Sequence, residues 1–394
     1  MKTLLKMEGK KVSNNMNHDL ETKIIHWGHK PDPTTGALAS PIYQTATFAA
    51  NSVEHFEELC RTWGYVYSRE CNPTLTELES KIAMLENAES AIVSTSGMGA
   101  IASTILALVK SGDHIVSSDG IFSHSKLLMS ELLNKFNVEV TFVDAIDPQN
   151  VKNALKPNTK LVYIETPLNP TLDLVDIKTI SEMAHENKSL VIVDNTFASP
   201  IIQQPIVLGA DLVVHSLTKF INGHGDTLGG AVAGSKELIE LVRWPSLCCF
   251  TGASLSPMSA WMILRGMKTL DLRMKKHCEN GLALAEFLSN EECVELVKYP
   301  ALKSHPQYDL CQSQMNGLGG GVLSFKLKDG IKGLTRDQAS RKLMNSLELT
   351  TIATSLGEEH TLVQMNGENL IRISTGLESS KDIINDFKQA IEKL

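Results

Sequence analysis

One stretch, residues 194–230, DNTFASPIIQQPIVLGADLVVHSLTKFINGHGDTLGG, constrains this chain more than any other. Apolar runs at 190–193 and 212–214 are each too short for a helix and end abruptly in polar residues, a pattern that predicts buried parallel strands. The first run delivers Asp194 and the second delivers Ser216, Thr218 and Lys219. Ligands of an open α/β sheet sit in the crevice beyond the carboxyl ends of its strands, so all four residues are expected to face one pocket.

Those groups suit one cofactor. Pyridoxal phosphate needs a lysine amine for its Schiff base and a carboxylate to hold its ring nitrogen protonated, so that the ring can draw electrons from a substrate carbanion. Lys219 and Asp194 fit these roles, and Ser216 and Thr218 are placed to bond the phosphate. Alone, either residue type is ordinarily a solvated lysine or a strand-end cap; several roles converging on one crevice point to a site.

With SLTKF around Lys219 and GHGD after it, the stretch resembles the cystathionine γ-synthase and methionine γ-lyase family of pyridoxal-phosphate enzymes of cysteine and methionine metabolism. The resemblance runs from about His26 to the C-terminus and is closest in pattern to methionine γ-lyase. It implies an α/β, aminotransferase-like (fold type I) chain with a mostly parallel large domain and a smaller C-terminal α+β domain. Residues 1–66 are expected to be a leader and an arm contacting a neighbouring subunit, 67–260 the cofactor-binding domain and 261–394 the C-terminal domain. A homotetramer built from dimers with shared active sites is implied as well.

Composition agrees with an enzyme of small molecules. The 394 residues are 42% hydrophobic and 21% charged, ordinary for a globular protein. A net charge of −8 argues against nucleic acid as the main partner. No apolar run approaches the ~20 residues that cross a bilayer, so no membrane partner is expected. Seven cysteines, Cys60, Cys71, Cys248, Cys249, Cys278, Cys293 and Cys311, show no CxxC pair, which reads as reduced cytoplasmic usage with neither disulfide framework nor metal site. The N-terminal MKTLLKMEGKKVSNNMNHD lacks the apolar core of a signal peptide and reads as a short disordered leader.

Further site residues emerge along the chain. The segment 26–70 is rich in Pro, Gly and Thr, with PIYQTATF as its one strand-like run, and is expected to lie as an arm on other surfaces. A strand at 91–96 runs into GMG and a small-residue helix, whose free N–H groups make Gly97 and Met98 candidate phosphate binders. By the resemblance, Tyr67 and Arg69 of GYVYSRECNPT reach a neighbouring subunit's phosphate, for which a guanidinium fork is well shaped. Asn169 of LVYIETPLNP would touch the cofactor's phenolic oxygen, with Glu165 at a second family position. Arg372 of NLIRISTGLE would grip a substrate α-carboxylate, with Ser355 as its neighbour.

The departures from the family bear on substrate. Phe122 stands where the family has a tyrosine that stacks on the cofactor and passes a proton, so stacking is kept and the proton is lost. His124 stands where methionine γ-lyases carry a cysteine, and an imidazole of pKa ~6.5 can act there as acid or base. Thr354 replaces an acid that reads the distal amine of cystathionine, Cys248 and Cys249 replace a Lys-Asp pair, and the loop between Gln364 and Asn369 is shorter than usual. The expected reaction is elimination at Cγ of a small L-amino acid. A γ-replacement synthase, or a binding homologue impaired at Phe122, are the alternatives.

Overall fold

A computed structural model describes residues 18–394, and all but the last two residues of the expected leader, 1–19, lie outside the described residues. The strands are β1 (Ser90–Ser94), β2 (His114–Ser118), β3 (Glu139–Val143), β4 (Thr159–Glu165), β5 (Leu190–Asp194), β6 (Leu212–Ser216) and β7 (Gly230–Gly234). They form one sheet in the order β1-β7-β6-β5-β4-β2-β3. The run from β6 to β3 is parallel and β7 is antiparallel to both of its neighbours. Both faces are covered, which is why these strands read as unbroken apolar runs rather than alternating ones. Tyr163, Ile192 and Val214 pack on one face with Ile101 and Ile105 of the helix Gly97–Leu108. Val162, Ile164, Val191 and Val193 pack on the other with Ile177 and Ile180 of the helix Ile177–Glu186.

The second sheet comprises β8 (Val294–Lys298), β9 (Val322–Leu327), β10 (Thr351–Ile352), β11 (Leu362–Asn366) and β12 (Leu370–Ser374), in the order β10-β11-β12-β9-β8. In β12 the side chains alternate by strand geometry. Ile371 and Ile373 enter a core with Leu284, Leu343 and Phe387 from three covering helices. Arg372 and Ser374 take the opposite face, beside Ser324 of β9, whose hydroxyl donates to Pro170 O at 2.7 Å. That contact ties the second sheet to the segment just after β4.

One local reading is revised. The run PIYQTATF forms no strand: it makes a single bridge, Thr47 with Tyr67, and spends other backbone groups on Thr74 Oγ1 and Val66 O. The same arm holds a helix, Val53–Arg61, whose start is capped by the Ser52 side chain accepting from His55 N–H. None of that helix is buried, so burial within this chain does not explain its apolar positions. Residues 256–290 form a helix pair, Pro257–Met267 and Leu270–Ser289, and position 260 falls inside the first of them.

Candidate active site

The C-terminal ends of β4, β5 and β6 place three polar residues side by side. Glu165 and Asp194 are paired in register, and Ser216 ends β6 opposite Gly230. Asp194 is 6% exposed. Its Oδ1 accepts the Thr196 N–H at 3.1 Å and its Oδ2 the Tyr163 hydroxyl at 3.4 Å. Burial pushes its carboxyl above the ordinary range. Glu165 is raised further, by burial and then by the Asp194 charge, although its Oε2 accepts the Phe122 N–H at 2.7 Å. Asp194 hydrogen-bonds only neutral donors, so a cation placed against it would relieve a desolvated charge.

Lys219 lies in the turn that follows β6, its N–H donating to Ser216 O at 3.3 Å. Its Nζ donates to Ser355 Oγ at 2.8 Å and forms no ion pair among the described residues. Burial, and next the Arg372 charge, push this ammonium below its usual range, which favours a neutral, nucleophilic amine. Ser355 takes φ 85°, a left-handed conformation that is costly for a residue with a Cβ and is often found at functional sites.

Arg372 is buried without an acid. Its Nη2 donates to Ser355 O (2.8 Å) and Gln364 Oε1 (3.0 Å), its Nη1 to Asn169 Oδ1 (3.1 Å), and its Nε has no partner. Lys219, Ser355, Arg372 and Asn169 therefore form one connected cluster, joining the turn after β6 to the second sheet and to the segment after β4.

The residues expected to bind the phosphate lie at a helix start and a strand end. Gly97 opens the helix Gly97–Leu108, where Ser96 Oγ accepts the Gly99 N–H. A Cβ at Gly97 would lie 2.9 Å from Ser216 Cβ, so glycine is what lets the helix start meet the end of β6. Thr218 is in the same turn, with its hydroxyl engaged by Gly229 N–H at 3.1 Å. Met98 sits nearby with its sulfur 3.8 Å from Ser125 Oγ.

The structure does not bring every expected residue together. Tyr67 and Arg69 are exposed, with the guanidinium 5.3 Å from the Tyr67 ring centre, and neither side chain hydrogen-bonds Gly97, Ser216, Thr218 or Lys219 within the described chain. Phe122 is 36% exposed and meets the exposed His124 ring edge-on at 4.9 Å. Cys248 is buried and donates to Arg69 O at 3.5 Å, whereas Cys249 is exposed. The short loop after Gln364 is a tight hairpin, with β11 and β12 joined by a single turn of 3-10 helix, Gly367–Asn369. Reasoning from sequence passed over Tyr163 and Thr196, which bond Asp194, and the contact of Gln364 with Arg372. Strand alternation places Tyr163, two residues before Glu165, on the same face, and that signal was available.

The residue set fits pyridoxal phosphate. A buried carboxylate with no cation bonded to it, a half-buried lysine with no ion-pair partner and a glycine-opened helix start converge at one end of one sheet. A doubly covered, mostly parallel sheet with this constellation defines a fold type I pyridoxal-phosphate enzyme. Residues 21–368 match the family described as Cys/Met metabolism PLP-dependent enzyme, and the chain belongs to that family. It is 46% identical over 395 residues to an L-methionine gamma-lyase of Treponema denticola, covering 95% of this chain and 96% of that one. Among solved structures, metB from Corynebacterium glutamicum superposes with a TM-score of 0.89 at 35% identity, covering 95% of this chain and 98% of that one. A putative O-acetylhomoserine (thiol)-lyase, metY, from Campylobacter jejuni, solved with N'-pyridoxyl-lysine-5'-monophosphate, gives 0.88 at 30% identity, covering 95% and 100%. No helix among the described residues is long and apolar enough to cross a membrane.

Proposed function

We propose that this chain is a cytoplasmic enzyme that eliminates the Cγ substituent of a small L-amino acid such as methionine or homocysteine. The products are a 2-oxo acid, ammonia and the leaving thiol. The observation that carries the reading is Arg372, a buried cation whose partners are all neutral and whose Nε is free, one serine away from the Lys219 amine. Such a cation is matched to the carboxylate of an amino acid.

When bound, pyridoxal phosphate supplies an electron sink for the bonds at the substrate's Cα. Asp194 holds the ring nitrogen, and Gly97, Met98, Ser216 and Thr218 hold the phosphate together with Tyr67 and Arg69 of a neighbouring subunit. Asn169 would bond the cofactor's phenolic oxygen. Arg372 orients the substrate carboxylate, while Ser355 steers the Lys219 amine to which it is bonded. Lys219, largely desolvated, takes the Cα proton and, once that proton has been passed on, takes one from Cβ, whose electron pair then expels the Cγ substituent. Phe122 offers a stacking face without a proton, and His124 beside it moves the proton at the leaving group. Exposed Tyr67 and Arg69 fit a homotetramer built from dimers with shared sites, and the two sheets fit a division at 66 and 260 into arm, cofactor domain and C-terminal domain.

The metB and metY neighbours favour a second reading, γ-replacement on an O-acylhomoserine. Purified holoenzyme given methionine alone, and separately O-acetylhomoserine with sulfide, decides between them. Release of 2-oxobutyrate and ammonia from methionine supports elimination, and thiol product without oxo acid refutes it.

A further inference from the structure

We infer that Glu86 and His215, buried on the far face of the large sheet, are positioning residues: they hold the strand ends carrying Asp194 and Ser216 and supply the positive charge that keeps Asp194 ionised. The inference rests on the proposed role of Asp194 at the ring nitrogen.

The geometry starts from register. Asp194 is paired with Val214, so the two side chains share a face and His215 projects from the other. There the His215 Nε2 meets Glu86 Oε1, with both side chains essentially inaccessible. Glu86 caps the C-terminus of the helix Pro73–Leu85, which packs against that face of β1 and β7. The same Oε1 accepts Asn195 Nδ2 at 3.0 Å. One carboxylate oxygen thus grips the residue after Asp194 and the residue before Ser216, spanning the two strands whose ends face the cofactor. Asn195 is fixed further by Gln203, whose Nε2 donates to Asn195 Oδ1 (2.9 Å) and to Thr166 O (3.1 Å).

An apolar pair of the same volume would hold two strands as firmly, because a buried ion pair is weak evidence for stability. The Glu86 Oε2 is buried and unpartnered, so the pair carries a desolvation cost. What an apolar pair cannot supply is a field. The titratable groups facing Asp194 on its own side are Tyr163 and Glu165, both acids, and across the sheet lie His215 and Glu86. Of these His215 alone offers a cation, and its charge draws the Asp194 carboxyl down against the effect of burial.

The test reads the imidazole and the ring directly. In 15N-histidine-labelled holoenzyme at neutral pH, the His215 ring is expected to carry protons on both nitrogens, with Nε2 donating to Glu86 Oε1. In Glu86→Gln and His215→Gln, the 15N resonance of ring-labelled pyridoxal phosphate should move toward its unprotonated position. The pH at which ring protonation changes should fall by about one unit, a tenfold loss of proton affinity. Cofactor stoichiometry and the lysine linkage should persist, which a merely structural defect would not predict. A neutral His215 in the wild type, or an unmoved ring resonance in folded variants, overturns the inference; where variants do not fold, the wild-type histidine spectrum decides. Asp194→Asn, measured in parallel, separates the two claims: an unmoved ring resonance there removes Asp194 from the ring nitrogen, whereas a moved one leaves His215→Gln to judge the pair.

Discussion

Arg372→Met exchanges a buried guanidinium for an apolar chain of similar length. The side chain is buried with neutral acceptors on three sides, so the structure pays no ion pair for its loss and leaves Asn169, Gln364 and Ser355 O short of one donor each. Removing an uncompensated buried charge offsets those losses, and the melting temperature should stay within a few degrees. Catalysis should not be spared. A substrate carboxylate held by two charge-assisted hydrogen bonds of about 1.5–3 kcal/mol each loses about 3–6 kcal/mol, or roughly a hundred- to ten-thousandfold in kcat/KM. The assay is steady-state oxo-acid release from methionine, with cofactor content measured by absorbance. The loss should fall mainly on KM, because the carboxylate is bound equally in ground and transition states. A fall of less than about tenfold, with cofactor retained, would refute the placement of Arg372 at the carboxylate.

Other outcomes follow from the same geometry. Burial and Arg372 lower the Lys219 pKa, and a neutral amine is what condenses with an aldehyde, so cofactor uptake by apoprotein should rise with pH and level off below the free-lysine range; a midpoint at 10.5 or higher contradicts the site. If His124 supplies the proton that Phe122 lacks, His124→Ala should lower kcat about a hundredfold and Phe122→Tyr should change it by no more than a few-fold, as read by ammonia release. Lys81, buried with its Nζ on Ile24 O at 3.0 Å, has its pKa lowered to about 8. Unfolding restores the ordinary lysine value, so the unfolded chain binds the extra proton between these limits and stability from this group rises from pH 8 to about 10.5. The gain is about 3 kcal/mol, and denaturant titrations of Lys81→Met should lack it.

Much of this protein was legible residue by residue, because its information is local. Apolar runs of four or five residues ending in polar ones marked β5 and β6, since a sheet covered on both faces needs no alternation, and they put Asp194, Ser216, Thr218 and Lys219 at strand ends. The glycine at 97 announced a helix start. The strand-like run PIYQTATF misled, because β propensity without a partner strand makes no ladder.

What local pattern cannot carry is which distant groups meet. Ser355 and Arg372 reach Lys219 only because β12 turns one face to its helices and the other toward the large sheet. Glu86 meets His215 across 129 positions of chain because a helix end packs under a strand end. Sequence by itself determined the strands and set Asp194 at the end of one and Lys219 just past the end of the next, since these follow from short-range periodicity and side-chain chemistry. Tertiary structure alone decided the charge around them, since electrostatics depends on distances in space and on burial, neither of which the order of residues specifies.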